Sequence, residues 1–432
     1  MSIKNPANQL LTDEIKPTKQ RFITLLILLI GIMVVYLDRV NVSVLAANGT
    51  FLTDMGIQGQ PVKIGMMMST FLFAYGFGNL LLSPLGDYWG PRKTVTLALV
   101  LCCISIAMGG MAGTFTVLIA SRIILGIGEG AYYPMSGIFT KNWFPPQERG
   151  RANAAWIIGQ SLAPAAAMPF FTYIIGTYGW RESFHAALVL TIIPLVLFWL
   201  YITDKPKTHK KVNALELRHI EEGLAREKKN EDSGIKETLW QRVKPFITNY
   251  RYWLLVYWYI SLNFVFWGMV SWLPSYLKTA RGFSWSEMGW LSALPFLAAI
   301  ITKAFAGWVA DRTGRCAPIL FAAMVLGGFG TYLAVIAPGK YLAAALLVIS
   351  FGFGNMAAPA AWTLLQGLVD GKSLATAGGT MNAIAAFCSS TSPVLIGWVI
   401  SSTGSYDGGL FMLVGAALLA SGAAAVLAFQ KL

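Results

Sequence analysis

Runs of about twenty apolar residues recur along the whole chain and limit the possible folds more than any other feature. A helix of that length crosses the apolar part of a bilayer. A transmembrane barrel would instead show strands of about ten alternating residues, a pattern that this sequence lacks. We therefore predict an all-α polytopic membrane protein with twelve spans, beginning near Arg21, Val62, Thr94, Thr116, Arg151, Ser183, Arg251, Glu287, Ala317, Tyr341, Ala375 and Gly408.

The charged residues follow the membrane topology. Only 12% of the 432 residues are charged, yet the net charge is +13. With the N-terminus inside, 25 of the 33 Lys and Arg fall in predicted cytoplasmic segments, which is the positive-inside pattern. We therefore expect both termini in the cytoplasm of a bacterial cell, a location in the inner membrane and contact with the lipid bilayer. Binding of nucleic acid is not needed to explain the charge.

The chain divides into two similar halves. We expect a cytoplasmic tail at residues 1–20, six spans in 21–203, a charged cytoplasmic linker in 204–250 and six further spans in 251–430. Asp87 and Gly90 follow the second span, and Asp311 and Gly314 follow the eighth, displaced by 224 residues. Repeats of this kind are common in secondary transporters, whose binding site lies between the halves.

Two adjacent charges interrupt the first apolar run, Asp38 and Arg39. A charge at the centre of a membrane helix costs roughly 2.5 to 3.5 kcal/mol, so such residues usually face a polar cavity. Mutual neutralisation or reaching toward the surface is the alternative explanation. Adjacent helical residues point about 100° apart, however, which disfavours direct pairing.

The fourth span carries a second acid and base, Arg122 and Glu129. Seven residues are nearly two helical turns, so both side chains point to one face, about 10 Å apart along the axis. Direct contact would need a third group, for which Asp38 or Arg39 of the first span is the natural candidate. A structural ion relay is the alternative to a functional pair.

Two loop motifs and two further stretches carry a family resemblance. G-x-x-x-D-R-x-G-R, complete at Gly307–Arg315 and degenerate at Ser83–Arg92, resembles the cytoplasmic loop signature of the major facilitator superfamily. YLDR at Tyr36–Arg39 and WFPPQERGRA at Trp143–Ala152 are similar to its anion:cation symporter family. That family includes bacterial carriers of galactonate, glucarate and hexuronates. The resemblance implies a major facilitator fold with two six-helix halves.

The resemblance also implies roles for the charged residues. Asp38 and Glu129 match the acidic positions that serve the proton, and Arg39 matches the arginine at the anionic substrate. A guanidinium suits that role because it binds a carboxylate through two hydrogen bonds. We expect Arg122 to be a charge partner of Glu129. The loop motifs imply gating residues that hold the cytoplasmic side shut, namely Asp87, Arg92, Asp311, Arg312 and Arg315.

Further substrate ligands are expected among polar and aromatic residues of the spans: Tyr36, Tyr75, Gln160, Trp362 and Asn382. Amides suit hydroxyl groups because they donate and accept hydrogen bonds at once. Each residue also has a structural explanation, since a buried ring can simply pack and a buried amide can bridge two helices. For Lys303 we favour a structural role, with its ammonium reaching the nearby cytoplasmic boundary.

These observations predict a monomeric transporter rather than an enzyme. The sequence has no catalytic constellation and no phosphate-binding loop, and we expect no metal, no disulfide and no cofactor beyond a proton gradient. The predicted function is proton-coupled import of a small organic anion, a sugar acid of the aldonate, aldarate or hexuronate type, by alternating access. An exchanger, a sodium-coupled carrier of another carboxylate and a transporter-like anion sensor remain as alternatives.

Overall fold

The computed structural model describes residues 17–231, 239–369 and 373–430. Within these ranges the secondary structure is helical, without strands, and twelve helical segments are long and apolar enough to cross a membrane. The predicted all-α fold with twelve spans is thus confirmed. The spans, numbered 1 to 12 below, are Gln20–Leu45, Pro61–Leu82, Pro91–Gly110, Phe115–Trp143, Pro146–Tyr178, Trp180–Leu200, Tyr250–Ala280, Trp285–Ala310, Ala317–Ile336, Lys340–Leu368, Thr376–Thr403 and Tyr406–Phe429.

Spans 1–6 form one half of the molecule and spans 7–12 the other. Within the N-terminal half, span 4 packs against spans 2 and 3, and within the C-terminal half span 9 packs against spans 10 and 12. The halves meet where span 1 faces span 7, span 2 faces span 11 and span 5 faces span 8. In the repeat, span 2 corresponds to span 8 and span 5 corresponds to span 11. The contact between spans 2 and 11 is therefore the counterpart of the contact between spans 8 and 5. The interface therefore has the approximate twofold symmetry that the sequence repeat predicts.

Four spans are interrupted at corresponding places in the two halves. Spans 4 and 5 correspond to spans 10 and 11 in the repeat, and each of the four consists of two helices. The helix pairs are Phe115–Gly130 with Tyr132–Trp143, Pro146–Ile157 with Gly159–Tyr178, Lys340–Asn355 with Ala358–Leu368, and Leu374–Ser389 with Ser392–Thr403. Broken helices are tolerated within a membrane where they are buried in protein or line a cavity.

Glycines bring span 4 into backbone contact with its neighbours. A Cβ added to Gly126 would lie 2.4 Å from the carbonyl oxygen of Phe71 in span 2, and one on Gly128 would lie 2.8 Å from that of Ala98 in span 3. Small residues allow such approach in membrane proteins, where dispersion rather than water exclusion holds helices together. This packing puts Glu129, between two glycines, in the interior of the N-terminal half.

The linker folds back onto the N-terminal half. Its helix Ala214–Glu231 contains Glu216, which is fully buried. The Glu216 carboxylate accepts hydrogen bonds from the Thr18 hydroxyl at 2.6 Å and from the backbone amides of Gln20 and Arg21, both at 3.1 Å. Since these amides begin span 1, the linker supplies an anionic cap to that helix. The start of span 1 and the linker consequently share one face of the molecule.

The two halves are closed together on the face opposite the linker, here called the outer face. A Cβ on Gly65 of span 2 would lie 2.3 Å from the Pro393 carbonyl oxygen of span 11. Across the symmetry-related contact, the Trp285 indole of span 8 donates to the Thr172 carbonyl of span 5 at 2.8 Å. Gly65, Thr172 and Trp285 lie near the outer ends of their spans, and Pro393 lies in the outer half of span 11. The structure therefore has its outer side shut.

Candidate functional site

A buried ion pair joins spans 1 and 4 at the centre of the N-terminal half. Arg39 Nε donates to Glu129 Oε2 at 2.6 Å, and the side chains are 3% and 0% exposed. Arg39 thereby supplies the third group that the separation of Arg122 and Glu129 requires. Charge-assisted hydrogen bonds of this length are among the stronger ones in proteins, and low local polarity strengthens them further.

Aromatic rings surround the Arg39 guanidinium. Its central carbon lies 4.4 Å from the ring centre of Tyr36, 4.7 Å from that of Tyr75 and 5.5 Å from that of Trp267. Phe71 is a fourth neighbour at 5.3 Å. Trp267 belongs to span 7, so this aromatic cage includes a residue from the opposite half. The ring faces stabilise the guanidinium without the help of an anion other than Glu129. Its remaining N–H groups are therefore available to bind a further anion.

A second group of aromatic and amide side chains adjoins the cage. The Tyr133 hydroxyl donates to Gln160 Oε1 at 3.2 Å, and its ring meets Trp156 edge-on with 4.9 Å between centres. Tyr133 lies one helical turn beyond Glu129, the partner of Arg39, so this group is close to the ion pair along span 4. Gln160 is half-buried, as expected of a side chain facing an accessible cavity.

The C-terminal half contains an aromatic pair of its own. The ring of Tyr259 in span 7 meets Trp362 of span 10 edge-on, with the centres 5.9 Å apart. Trp362 is 38% exposed, too much for a residue of a tightly packed core. The half-buried Asn382 makes no hydrogen bond within the described part of the chain, so the structure does not join it to Gln160.

Asp38 and Arg122 are buried without direct partners. Among the described residues, neither forms an ion pair or a hydrogen bond, and Arg122 Nε is fully enclosed. Asp38 directly precedes Arg39, and Arg122 lies two turns before Glu129 on the same face of span 4, so the four charges cluster around the Arg39–Glu129 pair. Arg122 is expected to be a charge partner of Glu129 through a third group, and Arg39 is the group that contacts Glu129. The Arg122 guanidinium itself lies over the Phe184 ring at 5.9 Å.

The expected gating residues make no contact between the halves that the structure describes. The side chains of Asp87 and Asp311 lie outside the described part. Arg92 donates its backbone N–H to Asp204 Oδ1, at the start of the linker, at 2.7 Å and its Nε to the Phe198 carbonyl of span 6 at 3.3 Å, so neither contact reaches the C-terminal half. Arg312 and Arg315 are exposed, and Arg312 lies over the Trp308 ring of its own helix at 5.3 Å. These arginines do not bridge the halves while the outer side is shut.

Sequence reasoning did not single out Tyr133, Tyr259 or Trp267. Tyr133 follows Glu129 by one helical turn, and Tyr259 follows Tyr36 by 223 residues, close to the repeat displacement. Both signals are readable in the sequence. No comparable signal marks Trp267, because it is one of 15 tryptophans in a chain that is 13% aromatic.

Comparisons with known proteins agree with this architecture. A sequence profile described as Major Facilitator Superfamily matches residues 28–393. A bacterial homologue of the human lysosomal transporter Spinster, solved in an inward-facing unoccupied conformation, matches 95% of this chain and 97% of its own with a TM-score of 0.78 at 16% identity. A D-xylose–proton symporter matches with a TM-score of 0.69 at 18% identity, covering 92% and 97% of the two chains. At these identities the structures establish the fold alone.

Curated relatives match along nearly the full length. The chain is 31% identical to the probable sulfoacetate transporter SauU of Cupriavidus necator, covering 96% of this chain and 95% of the relative. It is 28% identical to the probable L-galactonate transporter of Escherichia coli, with 93% and 87% covered, and 26% identical to the probable galactarate/D-glucarate transporter GudP of Bacillus subtilis, with 94% and 91% covered. The expectation of a transporter rather than an enzyme is confirmed, and this multi-pass membrane protein belongs to the Major Facilitator Superfamily.

Proposed function

We propose that the protein imports an organic acid together with protons across a bacterial inner membrane, with both termini in the cytoplasm. The observation that carries this proposal is the buried Arg39–Glu129 pair, enclosed by aromatic rings from both halves. Support also comes from the relatives named above, because sulfoacetate, galactonate, galactarate and glucarate are all acids. A guanidinium at the meeting point of the halves suits such a substrate.

Competition for Arg39 would couple the substrate to the proton. In the substrate-free pair, the Glu129 carboxylate occupies the guanidinium. A proton on Glu129 removes that ionic partner, and the carboxylate of the incoming substrate takes its place on Arg39. The substrate and the proton therefore bind together, since each lowers the cost of binding the other.

Asp38 would be the second proton site. It is buried beside the Arg39–Glu129 pair, yet no donor in the described part of the chain hydrogen bonds its carboxylate. Low polarity favours the protonated acid and the nearby guanidinium favours the ionised one, so a change in either can shift its proton. While the substrate occupies Arg39, the positive charge of Arg122 offsets the negative charge of whichever acid, Asp38 or Glu129, is ionised.

Transport would follow from rocking of the halves about this site. The contacts at Gly65 and Trp285 close the outer face and leave the linker side to release substrate into the cytoplasm. Opening the outer face requires those contacts to separate and the linker-side loops to approach. Arg312 and Arg315, exposed here, are then available to bridge the halves.

Uptake into proteoliposomes tests the proposal. Labelled sugar acids and sulfoacetate are offered under an imposed inward proton gradient, with the parent compared with Asp38→Asn and Glu129→Gln. We expect accumulation above the external concentration in the parent and its loss in both variants, with counterflow exchange retained. Gradient-driven accumulation by both variants would refute the proton sites. Dependence on sodium, or on internal anion alone, would favour a sodium-coupled carrier or an exchanger.

A further inference from the structure

Lys303 is a charged residue in the membrane interior that belongs neither to the Arg39–Glu129 ion pair nor to the residues around it. It lies in span 8, and its Nζ donates to the Ser161 hydroxyl of span 5 at 3.3 Å. The side chain is half-buried and points across the interface between the halves. The boundary position expected from the sequence is not the one observed. Lys303 instead faces the same interface as the aromatic cage.

No acid compensates Lys303. Among the described side chains it forms no ion pair, whereas Asp38 and Glu129 lie within one group with Arg39 and Arg122. With both acids ionised, the five interior charges sum to +1, and the excess charge is that of Lys303. An uncompensated charge inside a membrane protein is costly, and such residues typically contact a ligand or a cavity.

Polar side chains connect Lys303 with the Arg39 site. Ser161, its hydrogen-bond partner, directly follows Gln160 at the start of the long helix of span 5. Gln160 accepts from Tyr133, which lies one helical turn beyond Glu129, the partner of Arg39. Two cations, one from each half, thus lie at the interface between the halves, with hydroxyl and amide groups along span 5 between them. A molecule with an acid group at each end and hydrogen-bonding groups in the middle matches this order.

We propose that Lys303 binds a second acid group of the substrate, so that the transported class is dianions, either dicarboxylates or sulfonate-carboxylates. This inference rests on the proposed function, in which Arg39 takes the first acid group. The charge balance agrees with it. Protonating Asp38 and Glu129 raises the interior charge to +3, and a bound dianion returns it to the +1 of the empty site. A monoanion leaves +2, which is costlier to bury.

The test is equilibrium binding to the purified full chain at fixed pH, without any gradient, so it does not depend on proton coupling. The probes are two matched pairs, D-glucarate with D-gluconate and sulfoacetate with isethionate. In each pair the monoanion has a hydroxymethyl group in place of one carboxylate. We expect the parent to bind at least one dianion about tenfold or more tighter than its monoanion, since that ratio corresponds to about 1.4 kcal/mol.

Substitutions then assign this preference to Lys303. Lys303→Gln is expected to weaken the dianion about tenfold and leave the monoanion unchanged, while Lys303→Arg keeps the preference. Lys205→Gln, which removes an exposed linker-side charge, is the control for the general field of the protein. Without ligand, Lys303→Gln should unfold at the same or a higher temperature than the parent. Equal weakening of both members of a pair, an unaltered preference in Lys303→Gln, or a parent without any dianion preference would overturn the proposal.

A failure of proton coupling gives a different result from a failure of the Lys303 proposal. If only coupling fails, the parent prefers the dianion in the binding assay, Lys303→Gln removes that preference, and Asp38→Asn and Glu129→Gln still accumulate substrate under a gradient. If only the Lys303 proposal fails, gradient-driven uptake depends on the two acids while the matched probes bind alike in parent and variant.

Discussion

At the scale of single residues, the account depends on Arg39 and Glu129. The free-energy cost of burying two charges is offset only when each charge has its partner. Removing one partner from a buried pair typically costs about 3–5 kcal/mol. The aromatic rings around Arg39 reduce that cost on the cationic side, whereas Glu129 Oε1 has no hydrogen-bond partner among the residues that the structure describes. A pair held in this way is stable in the empty protein yet open to exchange of one anion for another.

A double-mutant cycle tests this pairing. Arg39→Ala and Glu129→Ala should each lower the thermal unfolding midpoint in detergent, because each leaves one buried charge alone. The double variant should lose less than the sum, with a coupling of about 1–3 kcal/mol. Strictly additive losses would mean that the two side chains do not stabilise one another.

Tyr133 should contribute to substrate affinity rather than to stability. Tyr133→Phe removes the hydroxyl that orients Gln160, and a hydrogen bond contributes about 0.5–1.5 kcal/mol, so KM should rise about two- to tenfold with little change in maximal rate. The matched control is the adjacent Tyr132→Phe, whose hydroxyl donates to the Leu28 carbonyl at 2.8 Å inside the N-terminal half. The control should lower the unfolding temperature and leave KM unchanged. A reversed pattern would exclude Tyr133 from the site.

Sequence reasoning identified the charged residues of the site better than its aromatic residues. Asp38, Arg39, Arg122 and Glu129 stand out because charge is rare in apolar runs. Which acid pairs with which base depends on the facing of spans 1 and 4, and this follows from tertiary packing. Trp267 gives no such signal, because tryptophan also packs and anchors membrane helices.

At the scale of structural elements, the linker helix is part of the N-terminal half. Besides Glu216, its His219 lies 2.9 Å from Glu148, which starts span 5 and also pairs with Arg21 at 3.4 Å. These contacts hold the beginnings of spans 1 and 5 together on the linker side. Composition alone predicts only a charged linker with short helices, since the anionic cap that it provides depends on three-dimensional proximity.

Loss of the Glu216 cap should loosen the start of span 1. Glu216→Ala removes the acceptor of two backbone amides, and a lost helix cap costs about 0.5–2 kcal/mol. Amide hydrogen exchange at Gln20 and Arg21 should accelerate about two- to thirtyfold, following that free energy. Glu221→Ala, on the exposed side of the same helix, is the control and should leave both amides protected. Equal rates of amide hydrogen exchange at Gln20 and Arg21 in Glu216→Ala and Glu221→Ala would contradict the capping role.

At the scale of the whole molecule, the two halves meet through closely packed backbones on the outer face. The symmetry of the contacts between spans 2 and 11 and spans 5 and 8 could be anticipated from the repeat of 224 residues. The conformational state could not, because one sequence must populate both outward-open and inward-open arrangements with similar free energies. The exposed Arg312 and Arg315 illustrate this limit, since their motif predicts a closed-gate contact that the arrangement described here does not contain.

Gly65 should control closure of the outer face. Gly65→Ala places a Cβ 2.3 Å from the Pro393 carbonyl, too close for this closed arrangement, and should shift the population toward the outward-open state. An impermeant thiol reagent should then label Ser43→Cys, which lies beside Gly65 in the outer seam, several-fold faster. Gly49→Ala, where a Cβ meets nothing within 4 Å, is the control. Unchanged labelling in Gly65→Ala would show that this contact does not set the equilibrium.

Proton uptake on substrate binding tests the exchange of anions on Arg39 most directly. Purified protein in weakly buffered solution near pH 7.5 is mixed with a bound sugar acid or sulfoacetate while a pH-sensitive dye reports the bulk proton concentration. The account predicts uptake of about one proton per bound anion through Glu129, and a second where Asp38 also titrates, with the Glu129 share absent in Glu129→Gln. Binding of the same anion with no proton uptake by the parent would contradict the account.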